Sequence, residues 1–244
     1  MDLTEKLDYP DAFYGIINTI TKQITMSTMT TNSPRYPGPL TTFVIADSKS
    51  MEDLHPSGLS KTDFAREKMK ILFENSREPN EDDQYNCYFS IVHYYGREGD
   101  VSVELWPTRA EFLSGEAMNF PSFSPNVPPS MACGIEAALE ITKVYTRLRL
   151  VHEPWSRIVL ITDGQDMEPQ KTKQLIDSLW AQNIAFFIYY LPTKGDSLMT
   201  GYEYCASIGH THKWIIDRGQ LAIPLSYEDM GYTLLDDWFT GYRL

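Results

Sequence analysis

The chain has 244 residues, enough for one large domain or two small ones with a substantial core. Hydrophobic residues make up 42% and charged residues 22%, with 15 Tyr, 11 Phe and 5 Trp, which excludes a disordered or collagen-like chain. Against 33 Asp and Glu stand 21 Lys and Arg, and the net charge of -12 has the wrong sign for a phosphate-backbone binder. Nucleic acid is therefore not expected as a direct partner.

The longest apolar run, Ile184 to Leu191, is far short of the roughly 20 residues that cross a bilayer, so no membrane span is expected. The start, MDLTEKLDYPD, is acidic and has no basic segment followed by an apolar one. Cys87, Cys133 and Cys205 are odd in number, widely spaced and without zinc-site spacing. These features predict reduced thiols in an intracellular setting, cytoplasm or nucleus. An exported chain that had lost a leader would look the same.

In chain order, Phe13, Ile16, Ile17, Ile20 and Ile24 fall on one face of an amphipathic helix. That face is too apolar to remain in water and is a candidate partner surface. A Pro-rich linker follows from Thr28 to Leu40, which divides the chain into an N-terminal segment, 1–39, and a main domain, 40–244. Thr42 to Ala46 reads as a buried strand that empties into the polar loop DSKSMEDLHPSGLS, with a helix from Asp63 to Glu74 beyond it. Cys87 to Tyr95 and Val101 to Trp106 flank a glycine-containing turn and read as neighbouring antiparallel strands. A short helix is expected over Thr108 to Met118 and a longer one over Met131 to Leu150.

Arg157 to Thr162 is the next buried strand, ending in Asp163, Gly164, Gln165 and Asp166 before a helix over Pro169 to Ala181. A strand over Ile184 to Leu191, a helix over Met199 to Ser207, a short strand over Lys213 to Ile216 and a helix over Tyr227 to Phe239 complete the pattern. Apolar strands alternating with helices predict an α/β, doubly wound, mostly parallel sheet, with one antiparallel edge strand and helices on both faces. In such sheets ligands bind beyond the carboxyl ends of the strands, where strand order reverses. The loops at Asp47 to Asp53 and Asp163 to Asp166 suit that position, and their oxygen donors suit Mg²⁺ or Ca²⁺ rather than zinc.

At these loops the chain resembles the von Willebrand factor A-type (VWA) domain, the integrin I-like family. FVIADSKSM is similar to that family's first strand and D-x-S-x-S loop, RIVLITDG to its fourth strand and T-D-G turn, and GIEAALEITKV to the helix after its metal-binding threonine. YEYCASIGHTHKWIID resembles its small-residue helix, turn and final strand. The resemblance implies a metal-ion-dependent adhesion site with Ser48, Ser50 and Asp163 as ligands. The threonine position falls at Ser130 or Met131, of which only the serine offers oxygen. Ala46 stands at the first aspartate position, and Asp47, one residue late, is expected to turn away because side chains alternate along extended chain. The site is thus expected to be degenerate, with no cofactor or only weakly bound Mg²⁺, and Ala46→Asp is expected to strengthen binding.

The bland reading of the same residues is that the serines cap the loop and Asp163 accepts backbone N–H bonds at a helix start. Cys133 and Cys205 lie in apolar helical patterns as core thiols, while His210 and His212 form a solvated turn. The acidic groups Glu81, Asp82, Asp83, Asp236 and Asp237 read as solvated faces. Hydrolase, nucleotide-binding and zincin motifs are absent, so no catalytic residues are assigned, although Ser48 or Ser50 with Asp163 and His210 could form a triad geometrically. The resemblance implies a protein–protein interaction module, a subunit of a larger assembly, that binds through loops at the carboxyl edge. Asp47, Lys49, Gln165 and Asp166 are then the partner-facing residues. The alternatives are an exported or pilus-associated VWA protein and a metal-dependent enzyme or chaperone accessory.

Overall fold

The computed structural model describes residues 38–67, 88–95, 101–106, 129–147, 151–182, 184–195 and 200–209. Its strands are β1 (Gly38–Ala46), β2 (Tyr88–Tyr94), β3 (Val101–Trp106), β4 (Val151–Thr162) and β5 (Ala185–Tyr190). Its helices are α1 (residues 61–67), α2 (Met131–Arg147), α3 (Pro169–Ala181) and α4 (Thr200–Gly209). The helices expected over Phe13 to Ile24, Thr108 to Met118 and Tyr227 to Phe239, the strand over Lys213 to Ile216, and His210 and His212 lie outside the described residues.

The sheet order is β3-β2-β1-β4-β5. β2, β1, β4 and β5 run parallel, and β3 pairs antiparallel with β2 in the register Phe89 to Trp106 and Tyr94 to Val101. The architecture is α/β. Because alternate residues of a strand face opposite sides, the unbroken burial of Leu40 to Ala46 in β1 and Ile158 to Thr162 in β4 means that both faces of the central strands are covered. α2 packs across β4, β1 and β2, where Gly134 lets it approach Val44 and the fully buried Tyr94. α3 packs on α2 and β5, and α4 on β5 and α3. Among the described residues no helix is long and apolar enough to cross a membrane.

Several boundaries differ from the sequence reading by one to three residues, as at the ends of β2, β5, α2 and α4, and three starts differ for a physical reason. β1 begins at Gly38, inside the stretch read as linker to Leu40, because strand pairing with Val151 and Tyr88 overrides the local proline and glycine signal. β4 begins at Val151 rather than Arg157. It advances from Val151 to Ser156 while β1 advances from Gly38 to Leu40, and Pro154, which has no N–H for a ladder, lies in that irregular stretch. α1 begins at residue 61 rather than Asp63, since Ser60 caps it: Asp63 N–H donates to Ser60 Oγ at 3.0 Å.

β2 also buries a titratable group. His93 of β2 is 1% exposed, and burial, aided by the Arg66 charge, lowers its pKa from 6.5 to about 4. The folded state thus resists protonation that the unfolded chain accepts. Stability rises with pH across this window and is lost as pH falls from 6.5 towards 4. Urea unfolding near pH 7 and near pH 5 should show wild type losing about 2 kcal/mol more than His93→Leu over that interval. Equal losses would mean that His93 does not titrate in this way.

Candidate functional site at the carboxyl edge of the sheet

Proceeding from β1 to β2 and β3 builds the sheet in one direction, while β4 and β5 extend it in the other. The reversal lies between β1 and β4, so the loops leaving their carboxyl ends meet at the position where doubly wound folds bind ligands. Ser48 and Ser50 leave β1 there, and Asp163 leaves β4.

The β1 loop is short-range and highly bonded. Asp47 N–H continues the ladder to the Tyr94 carbonyl at 2.9 Å, and Lys49–Glu52 form a single 3-10 turn closed by Met51 N–H to Ser48 C=O at 2.9 Å. The Ser48 and Ser50 hydroxyls bond each other at 2.7 Å. A reverse turn follows, with Pro56 after His55 and Gly58 at φ 92°, in which Gly58 N–H donates to His55 C=O. The His55 ring stacks on Phe64 of α1 at 3.7 Å. Lys61 N–H donates to the Asp53 carbonyl at 3.0 Å, which closes the loop at the first residue of α1.

That residue is the feature the sequence did not reveal. Lys61 Nζ donates to Asp163 Oδ2 at 2.9 Å, with the two side chains 1% and 2% exposed. Asp163 Oδ1 accepts Gln165 N–H at 3.4 Å, within the loop and ahead of the helix that begins at Pro169. A lysine in the first turn of a helix meets the positive end of the helix dipole, an unfavourable place unless a carboxylate balances it. That conflict becomes visible only once the helix is seen to begin at residue 61.

Asp166 is a clamp. Its Oδ1 accepts Met131 N–H at the start of α2 and Glu168 N–H in its own loop, both at 3.1 Å, and its Oδ2 accepts the Tyr204 hydroxyl of α4 at 2.5 Å. A carboxylate at the amino end of α2 complements the dipole there. Burial and then this carboxylate raise the Tyr204 pKa, so the phenol remains a donor. Ser130 donates to Glu168 Oε2 at 2.5 Å and accepts Cys133 N–H at 3.4 Å, capping α2. Beneath them the Cys205 thiol is pushed up to about 12 by burial, with Asp163 and Asp166 adding to the effect, so it stays protonated and unreactive.

The fold brings Ser48, Ser50 and Asp163 to one edge, and places Lys49 and Gln165 in water. Two partner-facing expectations are corrected: Asp47 is buried, and the Asp166 carboxylate is taken up inside the protein by three donors. Phe13, Ile16, Ile17, Ile20 and Ile24 lie outside the described residues.

A divalent ion does not fit this donor set. Ala46 contributes no oxygen, and Asp163 already carries an ammonium. Among the described residues no three His, Cys, Asp or Glu side chains converge as a metal site. At an effective dielectric near 20, two unit charges about 4 Å apart interact by about 4 kcal/mol, so a divalent ion that close to Lys61 would be opposed by about twice as much.

No protein-family model and no curated protein matches the chain. Among solved structures it is similar to the PilB minor pilin from Streptococcus sanguinis, at 11% identity over 75% of this chain and 57% of that one, with a TM-score of 0.50. It is also similar to the manganese-loaded TRAP protein of Plasmodium vivax, at 14% identity over 72% and 63%, with a TM-score of 0.49. A further likeness is to proximal thread matrix protein 1 from the mussel byssus with a zinc-occupied MIDAS motif, at 12% identity over 64% and 38%, with a TM-score of 0.45. The chain covers less than two thirds of each of these proteins, and the likeness concerns the fold. With its strand order, and with the serine and aspartate loops meeting at the switch point, the chain has a von Willebrand factor A-like fold.

Proposed function

We propose that the domain is a non-enzymatic protein–protein interaction module, a subunit or scaffold of a larger assembly, which docks through the loops at the carboxyl edge. The observation that carries this reading is the pattern of exposure. Among the described residues the exposed large hydrophobics are Leu54, at 51%, and Met167, at 40%, and both lie in the two edge loops. Exposed Lys49 and Gln165 lie in the same loops. Apolar anchors beside polar groups are the usual make-up of a docking patch. The loops beneath are already fixed by the Lys61–Asp163 pair, the Asp166 clamp and the bond from Lys194 N–H to the Leu54 carbonyl at 2.7 Å, so docking requires little further ordering. The chemistry also favours binding: the Cys205 thiol is raised, the two serines bond each other, and Asp163 is held by an ammonium rather than orienting a base.

Affinity purification of the full chain from its native source, read by mass spectrometry, tests the proposal. Leu54→Glu with Met167→Glu should reduce recovery of stoichiometric partners at least about tenfold, since loss of anchor residues at an interface costs 2 kcal/mol or more. Asp177→Lys, on the exposed side of α3, should not. Partner recovery indifferent to the edge substitutions, or no stoichiometric partner at all, would contradict the reading.

A further inference from the structure

The cation of this edge is supplied by the chain itself. In the ligand set that the VWA resemblance implies, Ala46 offers no oxygen, the Ser48 and Ser50 hydroxyls bond each other, and the Ser130 hydroxyl donates to Glu168. The remaining carboxylate, Asp163, is paired at 2.9 Å with Lys61 Nζ, and both side chains are shut off from water. Lysine is rarely buried in full unless it is paired, and a buried carboxylate likewise needs a counter-charge. One positive and one negative charge leave the pair neutral. A divalent ion on the same single carboxylate would leave it positive, and with Lys61 still present more so.

We propose that the Lys61 ammonium is the resident cation of the site, in the role that a divalent ion fills in the family pattern, and that the edge is metal-independent. The two loops are then joined by a charge pair encoded in the chain, available at any concentration of free Mg²⁺. The consequence for recognition, which rests on the interaction reading above, is that a partner meets side chains of the loops rather than an open metal coordination position. Ala46→Asp alone then adds a carboxylate to an edge that keeps its own ammonium on Asp163, and does not by itself create a metal site.

The test needs no partner, so its failure is separate from failure of the interaction reading. Calorimetric titration of the full chain with Mn²⁺ should show no saturable binding up to about 10 mM for wild type or for Ala46→Asp, beyond the range of weak oxygen-ligand sites. Ala46→Asp with Lys61→Met should bind Mn²⁺ saturably with a Kd of about 1 mM or lower, at least about tenfold below the limit set for Ala46→Asp, and Asp163→Asn should abolish that binding. Saturable binding by wild type or Ala46→Asp that is lost in Asp163→Asn would overturn the proposal, as would a folded double variant with no gain. Independently of any variant, Lys61 should be protected from limiting acetic anhydride, read by mass spectrometry, and 10 mM Mg²⁺ should not change that. Metal-induced labelling of Lys61 would mean that an ion displaces it.

Discussion

Lys61→Met is expected to lower the unfolding free energy by about 3–5 kcal/mol, because it leaves the buried Asp163 carboxylate without its counter-charge. The loss reflects a stranded charge rather than the intrinsic worth of the pair, since desolvating two ions offsets much of their attraction. The second substitution separates these effects. Lys61→Met with Asp163→Leu replaces both charges by apolar groups and should recover most of the lost stability, so urea unfolding of the four species should give a coupling free energy of about 2 kcal/mol or more. Additive losses would mean that the two side chains do not hold each other.

The second large effect is at Gly164, where the β4 loop passes the start of α4. Gly164 has φ 86°, and a Cβ there would strike the Gly201 backbone, lying 2.5 Å from its carbonyl oxygen, while a Cβ on Gly201 would strike the Asp163 carbonyl. Backbone cannot rotate aside as a side-chain tip can. Gly164→Ala should therefore cost about 3 kcal/mol or more, from a left-handed conformation of about 1–2 kcal/mol plus the displaced backbone. Gly195 supplies the control, with a similar φ of 83° and nothing within 4 Å of a Cβ. Gly195→Ala should show only the conformational cost, about 1–2 kcal/mol. Equal destabilisation of the two variants, measured by urea or thermal unfolding, would remove close approach as the reason for Gly164.

These two effects also mark where sequence reasoning stopped. α3 was legible to the residue because Pro169 sits where a helix start tolerates a missing N–H, and Val101–Trp106 because alternation and a flanking turn define it. The Ser48, Ser50 and Asp163 loops were legible because they follow apolar strands in an α/β order. Lys61 was not, for two reasons. The sequence pattern starts the helix at Asp63, which leaves Lys61 in a polar loop where a lysine needs no explanation. Its partner is 102 residues away in sequence, and only the adjacency of β1 and β4 brings them together. The role of Asp166 is hidden for a related reason: its three donors come from α2, its own loop and α4, and local sequence shows only a carboxylate in a polar turn.

A crystal structure of the full chain grown with about 10 mM Mn²⁺, with anomalous diffraction data, decides whether Lys61 or a metal ion occupies the edge, because it locates both cations at once. Lys61 Nζ should lie within salt-bridge distance of Asp163, with no anomalous peak among Ser48, Ser50 and Asp163. An ordered Mn²⁺ bound to Asp163, with Lys61 turned out to solvent, would contradict it.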